Sequence, residues 1–319
     1  MRRRRTTAAE DTSAPVPVRV VLITLDQHVG GAIARVKAAL AGELPGLDLR
    51  MHAATGFRDA AAAEACRADV AEADIVFANM LFVDEHVRAV LPALEARRDD
   101  CDAMVCAMST GEVMRLTRMG DFEMRGSKKG LGLLKKLRGK KKTKGSEGGA
   151  AQLAMLRRLP KLLALIPGTA QDLRAYFLTL SYWLSGSTEN LANLVRLLVN
   201  RYADGPRRTL RGTLDPGAPV IYPDVGLYHP RAGITEDPND LPAPAAPIAT
   251  VGLLVMRSYV LADDTGHYDR VIEAFEARWR AQKEDAYGKD TVALAETQIE
   301  DEAGGEGVEP EPFDAPTAF

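Results

Sequence analysis

The sequence lacks the patterns that mark several common classes of protein. Its 319 residues include only three cysteines, and none of them forms a CxxC pair, so no disulfide framework is indicated. No run reaches the roughly 18 apolar residues that a membrane-spanning helix requires. Four arginines at positions 2–5 lead into a polar stretch and not into the apolar segment of a secretory signal. We therefore expect a cytoplasmic protein with reduced thiols.

Motifs for metals and nucleotides are missing as well. The five histidines form no HExxH sequence and no cluster with cysteine. The first strand–helix turn, TLDQHVGG, lacks the GxGxxG spacing, and no GxxxxGKS/T sequence occurs. Spacing alone therefore assigns neither a metal site nor a catalytic residue.

The charges nearly balance but are unevenly placed. Lysine and arginine number 41 against 44 acidic residues, for a net charge of −3. The segment KKGLGLLKKLRGKKKTKG at 128–145 carries only positive charges, whereas the chain after residue 282 is mainly acidic. Because the basic segment has no aromatic residues for base stacking, we do not expect nucleic-acid binding. Two interpretations are left, a solvated loop and a peripheral contact of Lys128–Lys144 with an anionic membrane.

The first hundred residues alternate between strand-like and helix-like patterns. VRVVLITL, DIVFANM and DAMVCAM are short, almost continuously apolar runs, and LDLRMHA alternates as a more peripheral strand does. Strands that are apolar on both faces are typical of a parallel sheet covered by helices. The pattern predicts an α/β fold, a doubly wound parallel open sheet of flavodoxin-like or Rossmann-like form, followed by a helical segment and the start of a second α/β unit.

Composition shifts divide the chain into seven segments. We expect a disordered basic amino terminus, an amino-terminal α/β domain, a basic flexible loop, a helical segment, a Pro/Gly-rich connector, an incomplete second α/β domain that begins with the strand ATVGLLVM, and a disordered acidic tail. Their ranges are 1–17, 18–118, 119–149, 150–204, 205–248, 249–281 and 282–319.

Two places hold candidate ligand-binding residues. Asp26 and His28 follow the first strand, at the sheet edge where ligands usually bind. The phrase VIYPDVGLYHP brings Tyr222, Asp224 and His229 together on a connector stiffened by proline. That phrase is either a strap that pins the connector to a surface or one wall of a ligand cleft.

A further short motif follows the fourth strand. Ser109 and Glu112 have the spacing of a helix capping box, and the same free amides could alternatively hold an anion.

Several long phrases carry a resemblance to a known family. They include RVVLITLDQHVGG, DIVFANMLFVDEHV, MLRRLPKLLALIPGTAQDLRAYFLTLSYWLSGSTEN, YPDVGLYHP and TVGLLVMRSYVLADDTGHYDRVIEAFEAR. Together, from about residue 18 to residue 278, they resemble the amino-terminal part of the large H subunit of magnesium chelatase, of the bacteriochlorophyll type. The large subunit of cobaltochelatase is a relative that shares phrases of the YPDVGLYHP type.

The resemblance implies a function and its partners. An H subunit binds protoporphyrin IX and is the site of Mg²⁺ insertion, while two AAA+ partner subunits hydrolyse ATP. The residues that handle metal and porphyrin in the family lie beyond the matched region, so the resemblance transfers no catalytic residue. We expect that this chain alone does not insert magnesium. The alternatives are a non-catalytic module that binds porphyrin or a partner, and a cobaltochelatase subunit.

Overall fold

The computed structural model describes residues 15–124, 169–242 and 251–287. Four predicted features lie wholly or mostly outside these residues: the basic amino terminus, the basic segment, the helical stretch AQLAMLRRLPKLLALI and the acidic tail. The described residues fall into two compact units. Unit 1 runs to Tyr222 and also includes Arg257–Asp264, and unit 2 comprises Pro223–Met256 and the chain from Thr265 onward.

A six-stranded sheet organises unit 1. Its strands are β1 (Val18–Thr24), β2 (Leu47–Ala53), β3 (Ile75–Asn79), β4 (Ala103–Ala107), β5 (Arg118–Met119) and β6 (Phe122–Glu123). The spatial order is β2-β1-β3-β4-β5-β6, and the first four strands are parallel. The four strands predicted from apolar runs are confirmed, and the alternating LDLRMHA forms the edge strand β2. The short antiparallel hairpin β5–β6 was not predicted.

Helices cover both faces of this sheet, as a doubly wound fold requires. The helices are α1 (Gly30–Leu40), α2 (Ala60–Ala71), α3 (Asp84–Arg97), α4 (Gly111–Met114), α5 (Thr169–Ser185), α6 (Thr188–Tyr202) and α7 (Arg257–Leu261). Side chains of α1, α5 and α6 share one core with one face of the sheet. Side chains of α2 and α3 form a second core on the opposite face.

The helical segment is part of the α/β core. Ser187 caps α6, since its side-chain oxygen accepts a hydrogen bond from Asn190 N at 3.3 Å. Beyond α6, Arg207 makes two contacts of 3.0 Å with the Asp102 carboxylate and one of 3.2 Å with Asp74. Because Asp74 and Asp102 immediately precede β3 and β4, these ion pairs fix the end of the helical segment to the sheet.

Unit 2 is smaller and has fewer paired elements. It contains the antiparallel hairpin β7 (Leu227–His229) and β8 (Gly233–Thr235) and the long helix α8 (Gly266–Tyr287). The predicted strand ATVGLLVM is wrong for its described part, because residues 251–256 form no strand pairing within the described chain. The pattern identified an apolar extended segment, but the neighbouring strands that would make it part of a sheet are not among the described residues.

Candidate functional site at the carboxyl edge of the sheet

The strand order reverses between β1 and β3. From β1 the chain continues to β2 on one side, and β3 lies on the other side of β1. In open α/β sheets, the connections after the two central strands diverge at such a point and leave a crevice at the carboxyl edge. Both strands end there in a buried polar residue, Thr24 and Asn79, which are directly paired. This edge is therefore the candidate site of unit 1.

The loop after β1 carries two of the predicted residues. Asp26 N donates a hydrogen bond to Thr24 Oγ1 at 3.1 Å, which turns the chain out of the strand. His28 follows in a short 3-10 turn that leads into α1. Its half-buried imidazole stacks on Tyr259 of α7, with ring centroids 4.5 Å apart.

The surroundings favour the neutral form of His28. Burial lowers the pKa of its imidazole below the usual 6.5, and the negative charges of Asp26 and Asp264 oppose this shift. A neutral imidazole both donates and accepts a hydrogen bond, so His28 can serve either kind of ligand group at neutral pH.

Asn79 has a structural role at this edge. With its amide oriented to satisfy both neighbours, its nitrogen donates to Ala107 O at 3.2 Å and its oxygen accepts from Trp183 Nε1 at 2.6 Å. These bonds join β3 to β4 and to α5. The indole of Trp183 also packs on Phe77, with centroids 4.9 Å apart. Trp183 therefore lies directly behind the candidate site.

The loops after β3 and β4 leave their strands in the same unusual way. Met80 and Met108 both have positive φ angles, 57° and 44°, which cost a side-chain-bearing residue roughly 1–2 kcal/mol. Met80 N donates to Ala107 O at 3.2 Å, and Thr110 N donates to Leu81 O at 2.9 Å. The two loops are thus held together as one rim.

Ser109 belongs to this rim, so the predicted capping box is wrong. Its hydroxyl donates to Ala107 O at 2.8 Å and accepts from Leu81 N at 3.0 Å. The residue at the N-cap position of α4 is Thr110, and its side chain makes no capping bond. The Ser109 hydroxyl instead bonds to Leu81 in the loop after β3, and the residue spacing within the motif does not reveal this contact.

The rim exposes apolar side chains. Phe82 is 51 % exposed, and Val83 and Met108 are each more than a third exposed. Large apolar side chains that stay in water next to a ligand crevice are typical of a binding surface. We call Phe82, Val83 and Met108 the apolar rim.

The connector residues divide between the two units. Tyr222 lies in unit 1, where its carbonyl accepts a hydrogen bond from the Arg257 guanidinium at 3.2 Å. Since Arg257 begins α7 and Tyr259 of the same helix stacks on His28, α7 connects Tyr222 to the candidate site. Tyr259 is a site residue that the sequence did not reveal, because its 231-residue separation from His28 leaves no local signal.

Asp224 and His229 lie in unit 2. Asp224 is exposed. His229 Nε2 lies 3.1 Å from Glu276 Oε1, and Arg231 NH2 lies 2.8 Å from the same oxygen. Tyr228 Oη donates to Asp269 Oδ1 at 2.7 Å. These contacts fix the hairpin to α8, which agrees with the strap interpretation of the phrase within unit 2.

The thiols and carboxylates offer no metal site in the described part of the chain. No group of three or more histidine, cysteine, aspartate or glutamate side chains is arranged there to hold an ion. The three cysteines are free and buried, and burial raises the pKa of the Cys66 thiol to about 12. Buried thiols of this kind stay protonated and inert. In the same ranges, no helix has both the length and the apolar composition for crossing a bilayer.

Two family models match the chain one after the other. Residues 19–177 match a domain of unknown function, DUF3479, and residues 180–282 match the model CobN/Magnesium Chelatase. The boundary falls inside α5, whose side chains belong to a single core with the sheet. The two matched segments therefore meet inside one structural domain. This boundary does not coincide with the division between units 1 and 2, which falls after Tyr222.

Curated relatives agree with the second model. The magnesium-chelatase H subunit of Cereibacter sphaeroides is 49 % identical over 263 residues, which are 81 % of this chain and 22 % of that protein. The corresponding protein of Rhodobacter capsulatus is 48 % identical over 267 residues, 82 % and 22 % of the two chains. The chloroplastic magnesium-chelatase protein ChlH of Oryza sativa subsp. indica is 33 % identical over 282 residues, 82 % and 20 %.

The fold and the family-model matches define the class of protein to which the chain belongs. With its doubly wound amino-terminal domain and its match to the second model, the chain belongs to the CobN/magnesium chelatase family. Within that family it corresponds to the amino-terminal part of the magnesium-chelatase H subunit. The chain spans about a fifth of the length of the curated relatives it matches.

Proposed function

We propose that this chain acts as the amino-terminal part of a magnesium-chelatase H subunit. In this role it binds protoporphyrin IX during the ATP-dependent insertion of Mg²⁺ that leads to (bacterio)chlorophyll. Two AAA+ partner subunits use the ATP. The named relatives from bacteria and from a plant chloroplast support the assignment.

The observation that carries the binding role is the composition of the carboxyl edge in unit 1. The apolar rim offers a surface for the flat face of a macrocycle, and the stack of His28 on Tyr259 adds a polar group beside it. His28 and Asp26 are the ligand-facing residues in this proposal, and Tyr222 positions α7. Asp224 and His229 remain candidates that belong to unit 2.

The chain binds the porphyrin and leaves the chemistry to other parts of the enzyme. Insertion removes two protons from pyrrole nitrogens, which needs carboxylate or imidazole bases. It also strips water from Mg²⁺, which demands several oxygen ligands in octahedral geometry. The titratable groups described at the candidate site are Asp26, His28 and Asp264, and in the described part of the chain no group of three or more such side chains is arranged to hold a metal ion.

Porphyrin binding is tested through the fluorescence of Trp183. A Trp279→Phe background leaves Trp183 as the single indole, directly behind the site. We expect saturable quenching by protoporphyrin IX, weakened about 10-fold or more by Phe82→Asp because a charge then faces the apolar ring. Val271→Asp is the matched control, since Val271 is also exposed and apolar but lies in unit 2. Quenching that is unsaturable, or identical in Phe82→Asp, would contradict the proposal.

A chelation assay separates binding from catalysis. Purified chain with protoporphyrin IX, Mg²⁺, ATP and both AAA+ subunits should give no Mg-porphyrin fluorescence, whereas a complete H subunit should give it. Appearance of the fluorescence with this chain alone would show that it is catalytic. Insertion of Co²⁺ into a corrin ring would assign it to the cobaltochelatase branch instead.

The basic segment adds a second element to the proposal. Lys128–Lys144 lies outside the described residues, and its charge alone supports a contact with anionic lipid. Binding to anionic vesicles that disappears at high salt would support it, and no binding at low salt would remove it.

A further inference from the structure

Helix α7 covers part of the loop that carries His28. The Tyr259 ring stacks on the imidazole with centroids 4.5 Å apart and an interplanar angle of 21°. Leu261, at the end of the helix, and Ala262, just after it, are buried, and Ala262 belongs to the core that α1 and α6 share with the sheet. A ligand therefore cannot reach the stacked face of the His28 ring while α7 stays in place.

Helix α7 depends on its neighbours for its position. It has five residues, Arg257–Leu261, too few for a helix to be stable by itself in water. The residues that precede it, 223–256, belong to unit 2, so α7 is not continuous in sequence with the rest of unit 1. Asp263, which follows it, has a φ of 53°, a conformation that is costly for a residue with a side chain. Because α7 is not a strand of the sheet, it can leave its position without breaking any strand pairing.

Arg35 of α1 holds the chain at the end of α7. Its Nη2 donates to Ala262 O at 2.6 Å and lies 3.5 Å from Asp263 Oδ2. Its Nε donates to Thr188 Oγ1 at 3.2 Å, at the start of α6. Since the guanidinium group is planar and rigid, this one side chain fixes the end of α7 against two helices of the core.

We infer that α7 is a removable cover of the candidate site and that Arg35 is the positioning residue that keeps it closed. The inference rests on the proposed function, because the ligand and Tyr259 then compete for the same face of His28. When only a minor fraction of a protein is competent to bind, the apparent Kd rises by the inverse of that fraction. Removing the contacts of Arg35 should therefore tighten ligand binding, whereas removing a residue that supports a wall of the site would weaken it.

The first measurement needs no porphyrin. The amides of residues 262–264 are hydrogen-bonded to carbonyl groups of α7. In Arg35→Ala they should exchange at least about 10-fold faster, while the amides of β1 and β3 keep their rates. In NMR spectra, the carbon-bound protons of the His28 imidazole should lose the upfield shift that a stacked aromatic ring imposes. This shift reports the position of Tyr259 and not the stability of the domain.

The second measurement uses protoporphyrin IX and the quenching of Trp183 in the Trp279→Phe background. Arg35→Ala should lower the Kd about 10-fold, by the factor that speeds exchange in α7, because both follow the open fraction. Arg35→Lys keeps the charge without the planar fork, so its effects should be intermediate. His28→Ala should weaken binding whether or not Arg35 is present.

Arg196→Ala is the matched control for a lost arginine contact. Arg196 joins α6 to the chain that follows α1, through contacts of 2.9 and 2.6 Å with the Glu43 carboxylate. The variant should leave the exchange of residues 262–264, the His28 spectrum and the Kd unchanged.

A second variant keeps the test decisive should Arg35→Ala fail to fold. Arg257→Ala removes the hydrogen bond from α7 to Tyr222 O. It should act in the same direction as Arg35→Ala on hydrogen exchange, on the His28 spectrum and on the Kd.

Four results would overturn the inference. Unchanged exchange and an unchanged His28 spectrum in Arg35→Ala would show that Arg35 does not hold α7. Faster exchange with weaker porphyrin binding would make α7 a wall of the site and not its cover. Equal effects of Arg196→Ala would reduce the role of Arg35 to general stability. Absence of porphyrin binding in every chain would remove the proposed function and the competition, and the porphyrin-free measurements would separate this result from the first.

Discussion

Strand β3 and residues 251–256 are both short apolar runs, but their environments are opposite. All five residues of β3, IVFAN, are completely buried between β1 and β4. In VGLLVM, by contrast, Leu254 is almost wholly in water and no strand of the described chain lies alongside. An apolar run therefore specifies the environment that a strand needs, and only the neighbouring strands supply it. Among the described residues, unit 1 provides those neighbours and unit 2 does not.

Truncating a large side chain should affect the two units very differently. Phe77→Ala in β3 should lower the free energy of unfolding of unit 1 by about 3–5 kcal/mol, because it leaves a cavity under Trp183. Leu254→Ala should change stability by less than about 0.5 kcal/mol, because the side chain contacts water. Urea unfolding monitored by Trp183 fluorescence and by circular dichroism measures both. Similar losses in the two variants would contradict the comparison.

Breaking an ion pair should also cost more stability in unit 1 than in unit 2. Asp102→Ala leaves the Arg207 guanidinium without its bidentate partner and should destabilise unit 1 by about 3 kcal/mol. Glu276→Ala removes a carboxylate that is itself 32 % exposed, against 7 % for Asp102, from its partners His229 and Arg231, and should cost about 1 kcal/mol or less.

Both variants can be followed in the same urea titrations. Asp102→Asn, which keeps the shape and one acceptor, should recover part of the loss in unit 1. A larger loss of unfolding free energy in Glu276→Ala than in Asp102→Ala would contradict the comparison, because the ion pairs of unit 2 would then contribute more to stability than those of unit 1.

The smallest expected effect is a pH dependence at the candidate site. Because burial lowers the pKa of His28, the unfolded chain binds its proton more readily than the folded chain. The resulting stabilisation is complete above pH 6.5 and is lost as the pH falls through the lower pKa of the folded state. His28→Gln should remove this part of the pH dependence, measured by unfolding between pH 5 and pH 7.

Removing the aromatic ring that stacks on His28 should shift the pKa of its imidazole. Tyr259→Ala exposes the imidazole to water, so the pKa of His28 should rise towards 6.5 in an NMR titration. An unchanged pKa would show that α7 does not cover His28.

The sequence predicted local elements well and long-range contacts poorly. The continuous apolar runs located β1, β3 and β4, and alternation located β2 at the edge, because burial on one or two faces leaves a direct mark on composition. The position of Asp26 and His28 after the first strand followed from the same reasoning. Tyr259 could not be found, since its contact with His28 depends on the path of more than two hundred intervening residues.

Two errors have the same physical origin. The Ser109–Glu112 spacing fitted a helix cap, but a neighbouring loop offered Ser109 better partners. The run VGLLVM fitted a buried strand, but pairing needs a second strand that is not among the described residues. In both cases the local sequence pattern was compatible with the predicted structure, but contacts with another part of the chain, or their absence, determined the structure that forms.

Hydrogen exchange on the isolated, monomeric 319-residue chain tests the central claim most directly. The amides of β1, β3 and β4 should be strongly protected, whereas those of residues 251–255 should exchange at nearly the rate of an unstructured peptide. Protection of 251–255 equal to that of β3 in the monomer would contradict the account, because those amides would then already have their strand partners.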